Sequence, residues 1–278
     1  MSLPNIIKRY LIIIFLLLAI ISSAIYYGNN TIDISKYILT SKKITKDNVK
    51  ILQISDLHCK SFGKNQRTLL DQIENISPDI IVITGDLIDG RTNSKNYNNS
   101  FILVNELLDK YPIYYVTGNH EYYANYAEEI KEKLSSLGVI VLDNSNSHTS
   151  IKNTSINILG IDDNYSYNSE SILKDLTSNI KECDINILLA HRPEYFSQYS
   201  NYNFDFIFSG HAHGGQFRIP FTHKGLAAPG QGIFPELTEG YHTLNNSTMI
   251  ISRGLGNSIF PFRLFNHPEL VVLEISSK

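Results

Sequence analysis

The chain has 278 residues, 42% hydrophobic and 18% charged, with a formal net charge of -3. That length and apolar content suit one globular domain with a buried core, and the charge argues against a protein that binds nucleic acid by neutralising phosphates. The two cysteines, Cys59 and Cys183, are not in zinc-type pairs and read as free thiols.

Lys8 and Arg9 precede an apolar run from Tyr10 to Tyr27, broken only by Ser22 and Ser23. About eighteen residues just span the ~30 Å hydrocarbon core of a bilayer. The run reads as a signal anchor that keeps the N-terminus in the cytoplasm and sends the rest across. Ser22 and Ala24 also permit a cleaved signal peptide, which would leave the protein secreted; a buried core helix is the third reading. The chain therefore divides into an anchor (1–28), a polar stalk (29–48) with room for one edge strand, and a main domain (49–278).

Val49 to Ser55 predicts the first core strand, and Asn65 to Ile76 a helix that Pro78 stops. Asp79 to Thr84 predicts a second strand, residues 101–109 a helix, and the segment after Pro112 a third strand. Tyr123 to Leu137 predicts a helix ending at Gly138, and Val139 to Leu142 a short strand. From Ser150 the pattern turns to alternation, with Ile156, Ile158 and Gly160 suggesting antiparallel strands of a second sheet. Ser169 to Ile180 predicts a helix, and further strands end at His191 and at His211/His213. A Gly/Pro-rich loop (225–232) and strands at 249–251 and 270–273 close the chain. Helices alternating with strands, then a β-rich end, predict two packed sheets flanked by helices.

The strands share one construction. A run of β-branched residues, Ile80-Ile81-Val82-Ile83-Thr84, stops at Gly85-Asp86. This is the pattern of a buried parallel strand delivering a carboxylate at its C-terminal tip, where ligands bind in open α/β sheets. Other strands end in Asp56-Leu57-His58, Gly118-Asn119-His120-Glu121, His191 and Gly210-His211-Ala212-His213, so that five of the nine histidines stand at strand tips. Mixed imidazole and carboxylate donors suit borderline ions such as Zn, Fe, Mn or Co. The set exceeds what one ion of four to six ligands can use, which predicts two ions with Asp86 between them.

In order and form, Asp56-x-His58, Gly85-Asp86-x-x-Asp89, Gly118-Asn119-His120-Glu121, His191 and Gly210-His211-x-His213 resemble the motifs of the calcineurin-like metallophosphoesterases. Pro193 and the tail segments Ser252–Gly256 and Arg263–Asn266 resemble its bacterial membrane-anchored or exported branch. The resemblance implies a four-layer α/β/β/α sandwich of two mixed sheets, here with an N-terminal transmembrane helix. It implies that Asp56, His58 and His213 hold one divalent ion, that Asn119, His191 and His211 hold the other, and that Asp86 bridges them. It further implies that a metal-bridging hydroxide attacks phosphorus while His120 protonates the leaving oxygen, with Asp89 orienting His120 and Glu121 supporting the ligands from behind.

Arg253, in a Gly-flanked loop, is a candidate substrate-phosphate contact. Arg91 lacks the preceding Asp of the protein-phosphatase branch and receives no phosphate role. His148, His223, His242 and His267 read as surface or packing residues, His223 being nearest the Gly-rich loop. The expected function is hydrolysis of an envelope or lipid-linked phosphoester outside the cytoplasm. A nucleotide phosphodiesterase or phosphatase, or a non-catalytic metal-binding scaffold, is the alternative.

Overall fold

Strands that are apolar on both faces must be covered on both sides, and the chain covers them by stacking two sheets between helices. A computed structural model describes residues 4–44, 46–90, 97–123, 125–164, 169–178, 180–222, 224–257 and 260–278. Arg91 and His223 lie outside the described residues.

The chain opens with α1 (Asn5–Asn30) and β1 (Asp33–Ser41), then β2 (Val49–Ile54), α2 (Arg67–Ile76), β3 (Ile80–Thr84), α3 (Asn98–Leu108) and β4 (Ile113–Val116). The short α4 (Asn119–Tyr123) precedes α5 (Ala127–Leu137), β5 (Ile140–Val141), β6 (Ser145–Ile151), β7 (Thr154–Gly160) and α6 (Ser169–Thr177). β8 (Ile185–Leu189), α7 (Phe196–Tyr199) and β9 (Phe206–Ser209) follow. Four two-residue strands come next: β10 (Arg218–Ile219), β11 (Lys224–Gly225), β12 (Ala227–Ala228) and β13 (Gly232–Ile233). The last elements are β14 (Gly240–Leu244), β15 (Ser247–Ile251) and β16 (Glu269–Ser277).

The first sheet has the order β1-β16-β2-β3-β4-β5 and the second β14-β15-β9-β8-β7-β6. β2 to β5 run parallel, and β16 is antiparallel to β2. In the second sheet β7, β8, β9 and β15 are parallel, with antiparallel edges at β6 and β14. Alternation along each strand sorts side chains between layers. Leu52, Ile54, Ile81 and Ile83 face α2, α3 and α5. Val49, Ile51, Ile80 and Val82 meet Ile156, Ile158, Ile185 and Phe208 between the sheets. Leu159, Leu188 and Ile207 pack under α6 and α7. The result is α/β/β/α layering, in which each fully buried Ile or Leu contributes roughly 1.5–3 kcal/mol.

The edge strand allowed for in the polar stalk is present: residues 33–41 form β1, paired in parallel with β16 from Asp33↔Glu269 to Ser41↔Ser277. Two other expectations change. β7 is antiparallel only to β6 and parallel to β8, so it too points a C-terminal tip towards the other strand tips. The helix expected over 123–137 begins later, as α5 at Ala127, and Tyr123 closes the short α4 instead. Both cysteines are free, as expected.

α1 contains an 18-residue window of mean hydropathy 2.4, with 6% of it buried. It lies outside the core and has the length and apolarity of a membrane anchor or signal sequence. A chain beginning at Thr31 is expected to unfold in one cooperative transition, because both sheets remain complete. One beginning at Val49 loses β1 and uncovers an edge of β16; it should melt lower or aggregate. Equal melting temperatures for the two would show that β1 adds nothing to the domain.

Candidate metal centre

The tips of β2, β3, β4, β8 and β9 meet at one end of the sandwich, and ligand-type atoms cluster there. Asp56, His58, Asp86 and His213 make one cluster, Asp86, His191 and His211 a second, and His58, Asp89 and His120 a third. The first two, which share Asp86, are the candidate metal sites. In the first, His58 Nε2 is 3.2 Å from His213 Nε2 and 3.7 Å from Asp86 Oδ2, and His213 Nε2 is 3.3 Å from Asp56 Oδ1. In the second, His191 Nε2 is 3.3 Å from Asp86 Oδ2, 3.2 Å from Asn119 Oδ1 and 3.2 Å from His211 Nδ1. The same oxygen, Asp86 Oδ2, belongs to both.

The donor set fits divalent ions. His191 Nδ1 lies 2.7 Å from the Thr84 carbonyl, which requires the proton on Nδ1 and turns the Nε2 lone pair towards the other acceptors. Acceptors converging at these spacings repel one another unless a cation lies among them, and ligands about 2.0–2.2 Å from an ion stand at such separations from each other. The charges agree. Burial works to lower His191, but Asp86 and Asp56 outweigh it and hold the imidazole well above its usual range. Burial works to raise Asp86, yet His191 and His58 keep it well below the carboxylate range, while Asp56 is pushed up to about 6 by burial, opposed by His191 and reinforced by Asp86. Beside Asp86 the site therefore draws positive charge, carried by a proton on His191 Nε2 where an ion would otherwise bind. Burial holds His211 and His213 well below their usual range, helped by His191 and Arg192 for one and by His58 and Arg263 for the other. Both are neutral imidazoles, the form that ligates.

Local backbone conformation aims these side chains. Asp56, His58, Asp86, His211 and His213 all have φ between +47° and +64°. For residues with a Cβ this costs about 1–3 kcal/mol each and persists where the surroundings enforce it. Glu121 supplies part of that enforcement at the tip of β3. Its carboxylate accepts N–H bonds from Asp86 (3.1 Å), Leu87 (2.8 Å), Ile88 (3.2 Å) and Gly118 (2.8 Å). Beneath Asp56, a buried polar chain does the same. Gln53 Nε2 donates to Thr84 Oγ1 and to the Ser209 carbonyl, Thr84 Oγ1 donates to Ser55 Oγ, and Ser55 Oγ donates to Asp56 Oδ2 at 2.5 Å.

Glycine is required where β3 and β4 tips touch. A Cβ on Gly118 would lie 2.3 Å from Asp86 Oδ1. Gly118→Ala is expected to push the carboxylate aside and cut metal occupancy and turnover by roughly 10–10²-fold, since a 1 Å misplacement suffices for ~10². Elemental analysis beside a rate assay checks this; unchanged metal content would mean that Asp86 Oδ1 can move without consequence.

His120 stands beside the two candidate metal sites. Its backbone N–H donates to Asp86 Oδ1 at 2.8 Å, its ring centroid is 4.4 Å from that of His58, and Nδ1 is 3.2 Å from Asp89 Oδ1. The Gly90 N–H also approaches Nδ1 at 3.2 Å, but the charged carboxylate is the stronger partner and favours Nδ1–H.

Arg253 is held by carboxylates. Its guanidinium pairs with Asp33 (3.0 Å), Glu269 (3.1 Å) and Glu239 (3.6 Å) and lines a separate cavity of about 840 Å³ with Arg218 and Tyr241. Three carboxylates thus surround its charge. Arg192 stands beside the clusters. Asp163 accepts from its Nε (2.7 Å) and Nη2 (2.9 Å), and its Nη1 is 3.4 Å from His211 Nε2. β7 is itself a buried strand that ends at Gly160 and is followed by Ile161 and two carboxylates, so the signal is present for Asp163. Arg263, buried, reaches within 3.5 Å of His213 Nδ1, and Asn266 Nδ2 donates to the His213 carbonyl at 2.7 Å; the tail segments thus brace the His213 loop.

The profile of the calcineurin-like phosphoesterases matches residues 49–215. The uncharacterized metallophosphoesterase YkoQ of Bacillus subtilis is 29% identical over 229 residues, covering 82% of this chain and 83% of its own. YkuE of the same organism, likewise an uncharacterized metallophosphoesterase, is 27% identical over 234 residues, covering 83% and 80%. Among solved structures, the Haemophilus influenzae NAD nucleotidase superposes with a TM-score of 0.50 at 16% identity, over 75% of this chain and 46% of that one, a likeness of fold alone. The profile spans more than half of the chain and includes every strand tip of both clusters, so the protein belongs to the calcineurin-like phosphoesterases, as a metal-dependent hydrolase.

Proposed function

We propose that the chain hydrolyses a P–O bond of an envelope or lipid-linked phosphoester with two divalent ions. Asp56, His58 and His213 hold one, Asn119, His191 and His211 hold the other, and Asp86 is shared. The observation that carries this reading is the position of Asp86 Oδ2 within ligand distance of both clusters. Bound there, the ions supply Lewis-acid charge for the phosphoryl oxygens and bring a water's pKa near neutrality. The protein's own groups do the rest. Thr84 fixes the His191 tautomer and Glu121 fixes the loop bearing Asp86. With Nδ1–H donating to Asp89, His120 presents Nε2 to the substrate, and a proton carried there passes to the departing oxygen. Arg192, held by Asp163, adds positive charge beside His211.

The lipid-linked reading is supported by α1, whose apolarity suits an anchor, and by Lys8 and Arg9 before it, a charge pattern that favours an orientation with the domain outside the cytoplasm. The test is a hydrolysis screen of the full chain against p-nitrophenyl phosphate, its bis ester, nucleotides and lipid pyrophosphates, with Mn, Zn, Co and Mg each supplied. Preference for the lipid pyrophosphates is expected. Preference for nucleotides would overturn the substrate class, and no hydrolysis with any metal would overturn the reading as a whole.

A further inference from the structure

We infer that the metal-bearing end of the domain rests on the bilayer that α1 enters, with two apolar loops seated in its headgroup boundary. The substrate phosphate is then one that a membrane lipid presents at that depth. The substrate statement rests on the phosphoesterase reading above; the placement does not.

Topology supplies the first observation. β16 is antiparallel to β2, with Val271 opposite Gln53, and β1 is parallel to β16, with Asp33 opposite Glu269. The first residue of β1 therefore lies at the end of the sheet where β2 delivers Asp56. α1 ends at Asn30, so the apolar helix arrives at the metal-bearing end with two residues between it and β1. Its last turn is docked there. Lys60 Nζ donates to the Asn29 carbonyl at 2.5 Å and to the Leu255 carbonyl at 3.1 Å, and a Cβ on Gly28 would lie 3.3 Å from the Arg263 carbonyl.

The second observation is independent of α1. Segments 219–234 and 260–265 leave Phe221, Ile233, Phe234, Phe260, Leu264 and Phe265 exposed, Phe221 fully and Ile233 by 73%. Single exposed apolar residues mean little, but these lie on segments that are tied together. The Phe217 ring lies 5.0 Å from that of Phe260, the Arg218 N–H donates to the Leu264 carbonyl, and the Phe234 N–H donates to the Leu226 carbonyl. The segments adjoin the metal loop, because the Leu226 N–H also donates to the Gly215 carbonyl, two residues beyond His213. Aromatic and aliphatic side chains at the end where a membrane-length helix arrives match a bilayer interface, about 5–10 Å deep. They are a poor match to water, and continuity with α1 selects the bilayer over a protein partner.

The chain contains no tryptophan, so single replacements report depth without background. Full-length Phe234→Trp and Phe265→Trp are reconstituted in vesicles of equal parts phosphatidylcholine and phosphatidylglycerol, with and without bromine on the acyl chains. Leu137→Trp is the control: it is exposed at the end of α5, at the opposite end of the parallel strands. Emission from positions 234 and 265 is expected to be quenched roughly twofold or more by brominated lipid, as for side chains about 5–10 Å into the boundary, and emission from 137 to be unchanged. Two exposed sites guard against one that perturbs folding. Unquenched emission at both, or equal quenching at 137, overturns the placement, as does a blue shift without bromine quenching, which would mean a protein covers the surface. Quenching reads position and not chemistry, so a chain that hydrolyses nothing would fail the phosphoesterase reading while this result stood.

Discussion

Asp86→Asn is expected to lose bound metal and hydrolysis together. Asp86 Oδ2 lies 3.7 Å from His58 Nε2 and 3.3 Å from His191 Nε2, so it faces both clusters at once. An amide keeps the shape but cannot neutralise two cations. Changes to residues that only orient a ligand typically cost about 10–100-fold in metal affinity, and losing the charge that both clusters share should cost more than that. Glu121 and the Gly118 contact keep the loop in place, so the loss should come without unfolding. A variant that folds like the wild type and still binds two ions per chain at wild-type affinity would mean that Asp86 is not shared.

His120→Ala is expected to cut turnover by ~10²–10⁴-fold, the range for a positioned proton donor, while metals stay bound. The backbone N–H that donates to Asp86 Oδ1 survives in alanine, so the carboxylate keeps its orientation. The loss should shrink for esters with acidic leaving groups, which depart without a proton. His120 also forms a possible metal group with His58 and Asp89. Loss of metal in the variant would therefore make it a ligand. Equal losses for good and poor leaving groups, with metal retained, would make it a positioning residue for substrate.

The layers and the strand tips were legible because buried parallel strands leave long β-branched runs, and a polar residue ending such a run has few structural reasons to be there. Ile80–Thr84 before Gly85-Asp86 shows both. What was not legible lies in long-range pairing and backbone conformation. Arg253 looked available from its Gly-flanked loop, yet Asp33, 220 positions earlier, and Glu269 hold it. β1 buries too little to show a strand's alternation of burial in its residue types. Nothing in the types of Asp56, His58 or His211 announces a positive φ. Glu121 was placed behind the ligands, but its four backbone N–H partners depend on two strand tips meeting. Asp163 is legible as a carboxylate just past the end of β7, but the parallel pairing of β7 with β8 that brings it to the other strand tips does not show in the residue types.

The metal content of the wild-type chain, measured by elemental analysis while Mn is added back after chelation, tests the two-ion hydrolase most directly. Hydrolysis of bis-p-nitrophenyl phosphate is followed in the same samples. Two ions per chain are expected, with hydrolysis absent in the chelated protein and reaching its maximum only as the second ion binds. Full hydrolysis with one ion per chain, or undiminished hydrolysis after chelation, would contradict a centre built on a shared Asp86.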